Sequence, residues 1–243
     1  MNPEAMEPFG KALRAFSRGE RGAVLTVRRD DGHVSPLPAG HFFREQRQFT
    51  RLEAAALALC RGSVLDVGAG AGEHALLLRG EGREVTPIDI SPQAVAIMKR
   101  RGLREARCVD VFDFRGGTFD TVLLLGHSIG MVGTIAGLDR FLAHVRGLVA
   151  PGGQILLDSL DVRVTDAPDN LAYHEANRSA GRYIGEIRMR FEFRNEAGPV
   201  FSWLQVDAET LSLRSAIAGW NCEVVHAEQN GEYLARLSRQ RSA

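Results

Sequence analysis

A glycine-rich turn, LDVGAGAGEH (Leu65–His74), has the residue types and spacing best suited to hold a ligand. Gly68, Gly70 and Gly72 fall where a short apolar strand gives way to a helix, and glycines there let the backbone turn tightly and let a ligand approach it. Asp89 ends the next strand, about 20 residues later, where a carboxylate accepts hydrogen bonds from ribose hydroxyls. The spacing therefore predicts an adenosine site at the carboxyl ends of parallel strands.

Two kinds of cofactor fit an adenosine site. The string GAGAGEHA also satisfies the G-x-G-x-x-A pattern of dinucleotide-binding folds, so a nicotinamide-dependent oxidoreductase is an alternative. Three features favour another ligand: the long segment before the turn, a predicted antiparallel end to the sheet, and Asp66, whose carboxylate suits an ammonium group better than a pyrophosphate. Simpler interpretations stay open, namely close packing for the glycines, a solvated turn for Asp66 and a helix N-cap for Asp110.

Strands and helices alternate around this turn, which predicts parallel strands joined by right-handed crossovers. Predicted strands are Ser63–Gly68, Glu84–Asp89, Ala106–Val109, Phe119–Gly126 and Gln154–Leu160. Predicted helices are Gly72–Arg79, a segment capped by Ser91 and ending near Gly102, and Thr134–Val149. With a terminal hairpin, residues 223–227 and 233–237, the fold class is α/β, a doubly wound, mostly parallel seven-stranded sheet ending in an antiparallel hairpin.

Segments outside this core follow other patterns. Residues 1–59 are predicted to be an N-terminal extension that covers the cofactor or substrate, with a helix over 4–17, a hairpin over 23–37 and a helix over 41–59. Residues 60–243 form the second predicted domain. Within it, residues 163–181 are polar and predicted to be a loop, residues 182–206 form an inserted antiparallel hairpin, and residues 208–218 form a helix.

The chain resembles the class I S-adenosylmethionine-dependent methyltransferases. The matching pieces are VLDVGAGAG (64–72), VTPIDIS (85–91), CVDVFDF (108–114), FDTVLLLGHSIG (119–130) and LVAPGGQILL (148–157). The resemblance implies that the methionine end lies at Asp66, Gly68 and Gly70, the ribose at Asp89, the adenine near Asp110, and the sulfonium near Gly126–Ser128. It predicts cofactor contacts at Asp66, Gly68, Ala69, Gly70, Asp89, Ile90, Asp110, Val111, Phe112, Gly126 and His127, and it predicts no metal.

Methyl transfer from a sulfonium needs alignment of the reactants and exclusion of water more than it needs a general base. If a base is used, His127 is the first candidate, because it directly follows the fourth core strand and imidazole titrates near neutrality. His174 is the second candidate. The family's Asn/Asp-Pro-Pro-aromatic signature of exocyclic-amine methylation is absent, since GHSIG (126–130) occupies that place, which disfavours methylation of nucleobases.

Composition limits the partners. Lys+Arg and Asp+Glu both number 30, so the formal net charge is zero, which disfavours a nucleic-acid partner. Cys60, Cys108 and Cys222 form no metal-ligand spacing and predict reduced thiols. The first 21 residues have no continuous apolar run, so neither a signal peptide nor a membrane contact is expected. We expect a cytoplasmic small-molecule methyltransferase, with a homodimer, or methylation of a protein or RNA, as open alternatives.

Overall fold

The computed structural model describes residues 2–240, and its regular elements are numbered in chain order. The α-helices are α1 (Glu7–Ser17), α2 (Arg51–Leu59), α3 (Glu73–Gly80), α4 (Pro92–Arg100), α5 (Ile135–Val145), α6 (Pro168–Ser179) and α7 (Ala208–Ile217). The strands are β1 (Val24–Arg29), β2 (Val34–Pro38), β3 (Val64–Val67), β4 (Val85–Asp89), β5 (Arg107–Cys108), β6 (Phe119–Leu124), β7 (Val149–Leu160), β8 (Glu186–Phe193), β9 (Glu196–Ala197), β10 (Phe201–Leu204), β11 (Trp220–Ala227) and β12 (Glu232–Arg239).

Seven strands form the predicted α/β sheet in the order β11-β12-β7-β6-β3-β4-β5. β4 pairs with β5, and β6 with β7, in parallel, whereas β12 runs antiparallel to both β7 and β11. β3 and β6 are buried along nearly their whole length, as expected for apolar strands covered on both faces. The fold class and the terminal antiparallel hairpin are therefore confirmed.

A second, antiparallel sheet joins the two hairpins that the sequence pattern left separate. Its order is β10-β8-β1-β2, and β9 pairs with β8. β1 pairs with β8 through Val27 and Phe191, so the N-terminal and inserted hairpins share one sheet. Pro36 lies within β2, and Pro38 is its last residue. They are tolerated because β2 is an edge strand, where a missing N–H donor breaks no central ladder.

The predicted helix over residues 41–59 is wrong in its first half. Only α2 is an α-helix there, and it follows two short 3-10 turns, Ala39–Phe43 and Gln46–Gln48. The Glu45 and Gln48 side chains accept hydrogen bonds from each other's backbone N–H groups. Arg44, between the two 3-10 turns, has an extended backbone. These local hydrogen bonds compete with a continuous helix.

The predicted loop over residues 163–181 is also wrong, because α6 occupies most of it. Pro168 stands at the start of this helix, where the absent N–H costs nothing. Its buried residues are Tyr173, His174 and Asn177, and the Asn177 amide donates to the carbonyls of Ile184 and Glu186 at 3.0 Å each. The inward face is largely polar, which explains why no apolar periodicity marked it.

Contacts between Cα atoms divide the chain into two compact units. The first comprises the residues up to Thr50, Leu65–Phe114 and Arg188–Phe201, and the second comprises Arg51–Val64, Arg115–Ile187 and the residues from Ser202 onwards. Phe9 contacts both Phe42 and Phe191 in the core of the first unit. In the second, Trp220 is fully buried and donates from Nε1 to the Leu142 carbonyl at 3.0 Å. Over residues 2–240, no helix has the length and apolar character required to cross a bilayer.

Substitution of Trp220 tests the core of the second unit. Trp220→Ala is expected to lower the free energy of unfolding by about 3–5 kcal/mol, because it removes a fully buried aromatic side chain and leaves a cavity. Urea denaturation measures the change. Ile217→Ala, at a residue that is 70% exposed, is the control and should stay within about 0.5 kcal/mol of the parent. Equal effects of the two substitutions would contradict this account of the core.

Candidate active site

The glycine-rich turn lies in the first unit, between β3 and α3. Gly68, Gly70 and Gly72 have φ values of 74°, 55° and 81°, in the left-handed region that favours glycine. The backbone N–H groups of Gly68 and Ala69 both donate to the Ile88 carbonyl, at 2.9 and 3.1 Å. The turn is therefore fastened to β4, the strand that carries Asp89.

Asp89 holds this turn through its carboxylate. Oδ2 accepts from the Gly70 N–H at 2.9 Å, and Oδ1 accepts from the Ser91 N–H at 2.8 Å. Burial raises the pKa of Asp89 to about 6, against the opposing effect of these backbone hydrogen bonds. Since a carboxylate offers about four acceptor positions, Asp89 can accept further hydrogen bonds from a ligand while it keeps the turn in place.

One carboxylate oxygen of Asp66 is buried and receives no hydrogen bond from the part of the chain that the structure describes. Its side chain lies on β3 and is 2% exposed, so the interpretation of a solvated turn residue is wrong. Oδ2 has no hydrogen-bond partner among the described residues. Burial raises the pKa of Asp66 to about 6, although His74 acts in the opposite direction. An unpaired carboxylate oxygen beside the glycine turn fits a ligand that carries an ammonium group.

The third predicted cofactor segment forms a turn after β5. The Asp110 Oδ1 accepts from the Phe112 N–H at 3.0 Å, and no helix begins at this point, so Asp110 caps a turn rather than a helix. Val111 is buried, whereas Asp110 and Phe112 are half-buried. Ile90, after β4, is half-buried as well. The first unit thus contains every predicted cofactor residue except Gly126 and His127.

A segment that no motif predicted lies against the glycine turn. The Phe42 ring is 3.3 Å from the position that a Cβ on Gly70 would occupy. Arg44 fastens the segment, because its backbone N–H and its Nη2 donate to the two carboxylate oxygens of Glu73, at 2.8 and 2.7 Å. The sequence predicted that residues 1–59 cover the cofactor or substrate, but it did not predict the contacts of Phe42 and Arg44.

Gly126 and His127 form a strained turn after β6 in the second unit. Both have positive φ, 67° and 59°, and among the described non-glycine residues only His127 and Arg194 share that property. Asp158 on β7 accepts from both backbone N–H groups, at 3.2 Å from Gly126 and 2.8 Å from His127. This carboxylate stabilises a conformation that costs about 1–3 kcal/mol in a non-glycine residue, and such strain is concentrated at functional sites.

The His127 imidazole is partly exposed and has three polar neighbours. The Gln205 Nε2 lies 3.3 Å from Nδ1. On the other side of the ring, Nε2 lies 4.0 Å from the Asp158 Oδ2 and 3.8 Å from the Glu232 Oε1. Asp158, Gln205 and Glu232 were not predicted from the sequence. Asp158 had a signal, since it is a charged residue within the apolar run ILLDSL (155–160).

His174 is also in the second unit. It is on α6 and buried, not in a surface loop, so its predicted location is corrected. Trp203 on β10 lies near the His127 turn, because a Cβ on Gly130 would come within 2.0 Å of its Nε1. Glycine is therefore required at position 130 for the indole to pack against this turn.

Comparisons with known proteins agree with the resemblance. A family model described as a methyltransferase domain matches residues 40–224, more than half of the chain. A crystal structure of an S-adenosylmethionine-dependent methyltransferase from Bacteroides fragilis, in complex with S-adenosyl-L-homocysteine, is 35% identical. The superposition covers 99% of this chain and 98% of that chain, with a TM-score of 0.86.

Two further relatives are more distant. The ubiquinone biosynthesis O-methyltransferase of Xanthomonas euvesicatoria pv. vesicatoria (strain 85-10) is 30% identical over 139 residues, so the match spans only 54% of this chain and 54% of that relative. DesVI of Streptomyces venezuelae shares the fold, at 18% identity over 77% of this chain and 90% of that one, with a TM-score of 0.56. The chain belongs to the class I S-adenosylmethionine-dependent methyltransferases, enzymes whose cofactor is S-adenosylmethionine.

Proposed function

We propose that this chain transfers the methyl group of S-adenosylmethionine to a small-molecule acceptor. The observation that carries the proposal is the buried, unpaired oxygen of Asp66 beside a glycine turn held open by Asp89. A carboxylate in that place suits the ammonium of an amino-acid tail, and it would repel the pyrophosphate of a nicotinamide cofactor. The zero net charge supports a small molecule over a nucleic acid.

The cofactor would be held by the residues of the first unit. Bound there, S-adenosylmethionine supplies a methyl group already activated on a sulfonium. Asp66, Gly68, Ala69 and Gly70 would take the methionine end, Asp89 and Ile90 the ribose, and Asp110, Val111 and Phe112 the adenine. Gly126 and His127 are proposed to lie at the sulfonium. The protein's contribution is then binding, alignment and exclusion of water, which in well-oriented reactions lowers a barrier by up to about 7–11 kcal/mol.

Residues 1–59 are proposed to work as the cover of the methyltransferase domain, residues 60–243. The contact of Phe42 with Gly70 and the ion pair of Arg44 with Glu73 support this role. Both partners of that ion pair are largely buried, so breaking it by removal of one partner leaves an uncompensated charge. The pair therefore keeps an aromatic side chain over the turn that is proposed to bind the cofactor.

His127 is proposed to receive the proton of the acceptor at its imidazole. Its side chain is partly exposed, and the carboxylates of Asp158 and Glu232 lie 4.0 and 3.8 Å from Nε2. His174 is the weaker candidate, because burial on α6 limits its access to an acceptor. The free thiols of Cys60, Cys108 and Cys222 are compatible with the predicted cytoplasmic location. That location and a homodimer stay predictions.

The function is tested by a labelled methyl group. The purified protein is incubated with trideuteromethyl S-adenosylmethionine and a metabolite extract, and products heavier by the label are detected by mass spectrometry. We expect a labelled small molecule together with stoichiometric S-adenosylhomocysteine. A label found only on protein or RNA, or no transfer at all, would overturn the proposed acceptor class.

Asp89→Ala should weaken S-adenosylhomocysteine binding by about 1.5–3 kcal/mol in calorimetry.

Substitution of Asp66 by asparagine is expected to raise the stability of the protein and to weaken cofactor binding. Its pKa of about 6 in the folded protein lies above the value of 3.8 for an unperturbed carboxyl, so ionisation opposes folding. This penalty is absent below pH 4, grows up to pH 6 and is then constant. Asp66→Asn should therefore raise the free energy of unfolding at pH 7.5 by up to about 3 kcal/mol but leave it unchanged at pH 4.

The same substitution should weaken S-adenosylhomocysteine binding by about tenfold or more, since it removes a charged acceptor. Chemical denaturation at the two pH values and calorimetry at pH 7.5 measure the two effects. A variant as destabilised at pH 7.5 as at pH 4 would show that Asp66 has a structural partner. Unchanged affinity would remove it from the cofactor site.

His127→Asn tests the proposed proton acceptor, because asparagine tolerates positive φ but does not titrate. We expect methyl transfer to fall about a hundredfold or more, with little change in S-adenosylhomocysteine affinity. His33→Asn, at an exposed residue, is the control. Equal rates at every pH would rule out His127 as the base.

A further inference from the structure

Gln205, just after β10, is held rigidly in the second unit. Its backbone N–H donates to the Gly185 carbonyl at 2.8 Å. The next residue, Val206, is fixed on both sides, since its N–H donates to the Ser159 Oγ at 3.0 Å and its carbonyl accepts from the Tyr233 Oη at 2.7 Å. A Cβ on Gly185 would lie 1.8 Å from the Gln205 carbonyl oxygen, so glycine is required there. The backbone of Gln205 is therefore preorganised.

The two ends of the Gln205 amide have different surroundings. Nε2 lies 3.3 Å from the His127 Nδ1, whereas Oε1 is buried and has no hydrogen-bond partner among the described residues. An amide nitrogen only donates, so it pairs with Nδ1 when that nitrogen is unprotonated and the neutral ring carries its proton on Nε2. A buried carbonyl without a donor is destabilising, which calls for a functional explanation.

A half turn of the amide about its last side-chain bond exchanges the two ends, which are nearly equal in size. Oε1 would then face Nδ1 and accept a hydrogen bond from a proton on that nitrogen. The Nε2 lone pair of the ring would be free on the side where the carboxylates of Asp158 and Glu232 lie, 4.0 and 3.8 Å away. The fully protonated ring would satisfy Oε1 through Nδ1–H and would place Nε2–H toward two negative charges.

We propose that Gln205 is a positioning residue that selects the nitrogen on which His127 carries its proton. With the amide nitrogen toward the ring, the proton is on Nε2 and His127 is a hydrogen-bond donor. With Oε1 toward the ring, the proton is on Nδ1, and Nε2 takes the proton of the acceptor to give an imidazolium, which later returns one proton to solvent. In the reacting form Oε1 thus has a donor in Nδ1–H, and the amide nitrogen no longer contacts the ring. The catalytic part of this inference rests on the proposed function.

The tautomer is measured by long-range ¹H–¹⁵N NMR of the protein labelled with ¹⁵N-histidine, with His127 assigned from His127→Asn. In the free wild type we expect the proton on Nε2. Gln205→Glu offers only acceptor oxygens, so it should move the proton to Nδ1. Gln205→Leu removes both ends of the amide and should give a mixture of tautomers. Gln48→Glu, at an exposed glutamine, is the control and should leave the His127 signals unchanged.

The second measurement is the rate of methyl transfer to the small molecule that the labelling experiment identifies with the wild type. Gln205→Leu should lower turnover about tenfold or more, whereas Gln205→Glu should restore most of it, with S-adenosylhomocysteine affinity unchanged in both. Identical His127 signals in wild type and both variants, or a wild-type proton on Nδ1, would overturn the proposal. If Gln205→Glu does not fold, an unaltered tautomer in Gln205→Leu overturns it alone. The NMR result is independent of turnover, so failure of the proposed function and failure of this inference are distinguishable.

Discussion

Two buried carboxylates each accept hydrogen bonds from two backbone N–H groups, and each fixes a tight turn at the end of a strand. Asp89 accepts from Gly70 and Ser91, and Asp158 accepts from Gly126 and His127. Turns with positive φ and inward N–H groups would be costly without such acceptors, because unpaired buried donors lose their hydration. The glycine turn and the His127 turn therefore depend on side chains from strands β4 and β7.

Several groups in or near these turns lower the stability of the folded protein, which indicates that they are retained for function. Asp66 and Asp89 are buried with raised pKa values, His127 is held in a left-handed conformation, and the Gln205 Oε1 has no partner among the described residues. A protein selected for stability alone would replace the unpaired groups by apolar ones. We assign these polar groups to the proposed functions, Asp66 and Asp89 to cofactor binding and Gln205 to the positioning of His127.

The antiparallel sheet explains how a common fold acquires its own site. β1 of the N-terminal hairpin pairs with β8 of the inserted hairpin, so two segments outside the shared core build one structure. The Phe9 ring packs against Phe191 in this sheet and against Phe42, which lies beside the glycine turn. Gln205 follows β10 at another part of the same insertion. Variation in these additions changes what surrounds the site without changing the parallel core.

Local sequence determined much of the parallel core. Apolar runs, glycines at strand ends and the Ser91-Pro92 helix start are short-range signals, so the strands, the glycine turn and Asp89 could be predicted. Tertiary structure alone decided the rest. The segment 41–50 carries 3-10 turns instead of the predicted α-helix, and its Arg44 pairs with Glu73. Helix α6 buries polar residues that show no apolar period. Asp158, Gln205 and Glu232 meet His127 from 31, 78 and 105 residues away. Such contacts depend on how distant strands align, and no local propensity records that alignment.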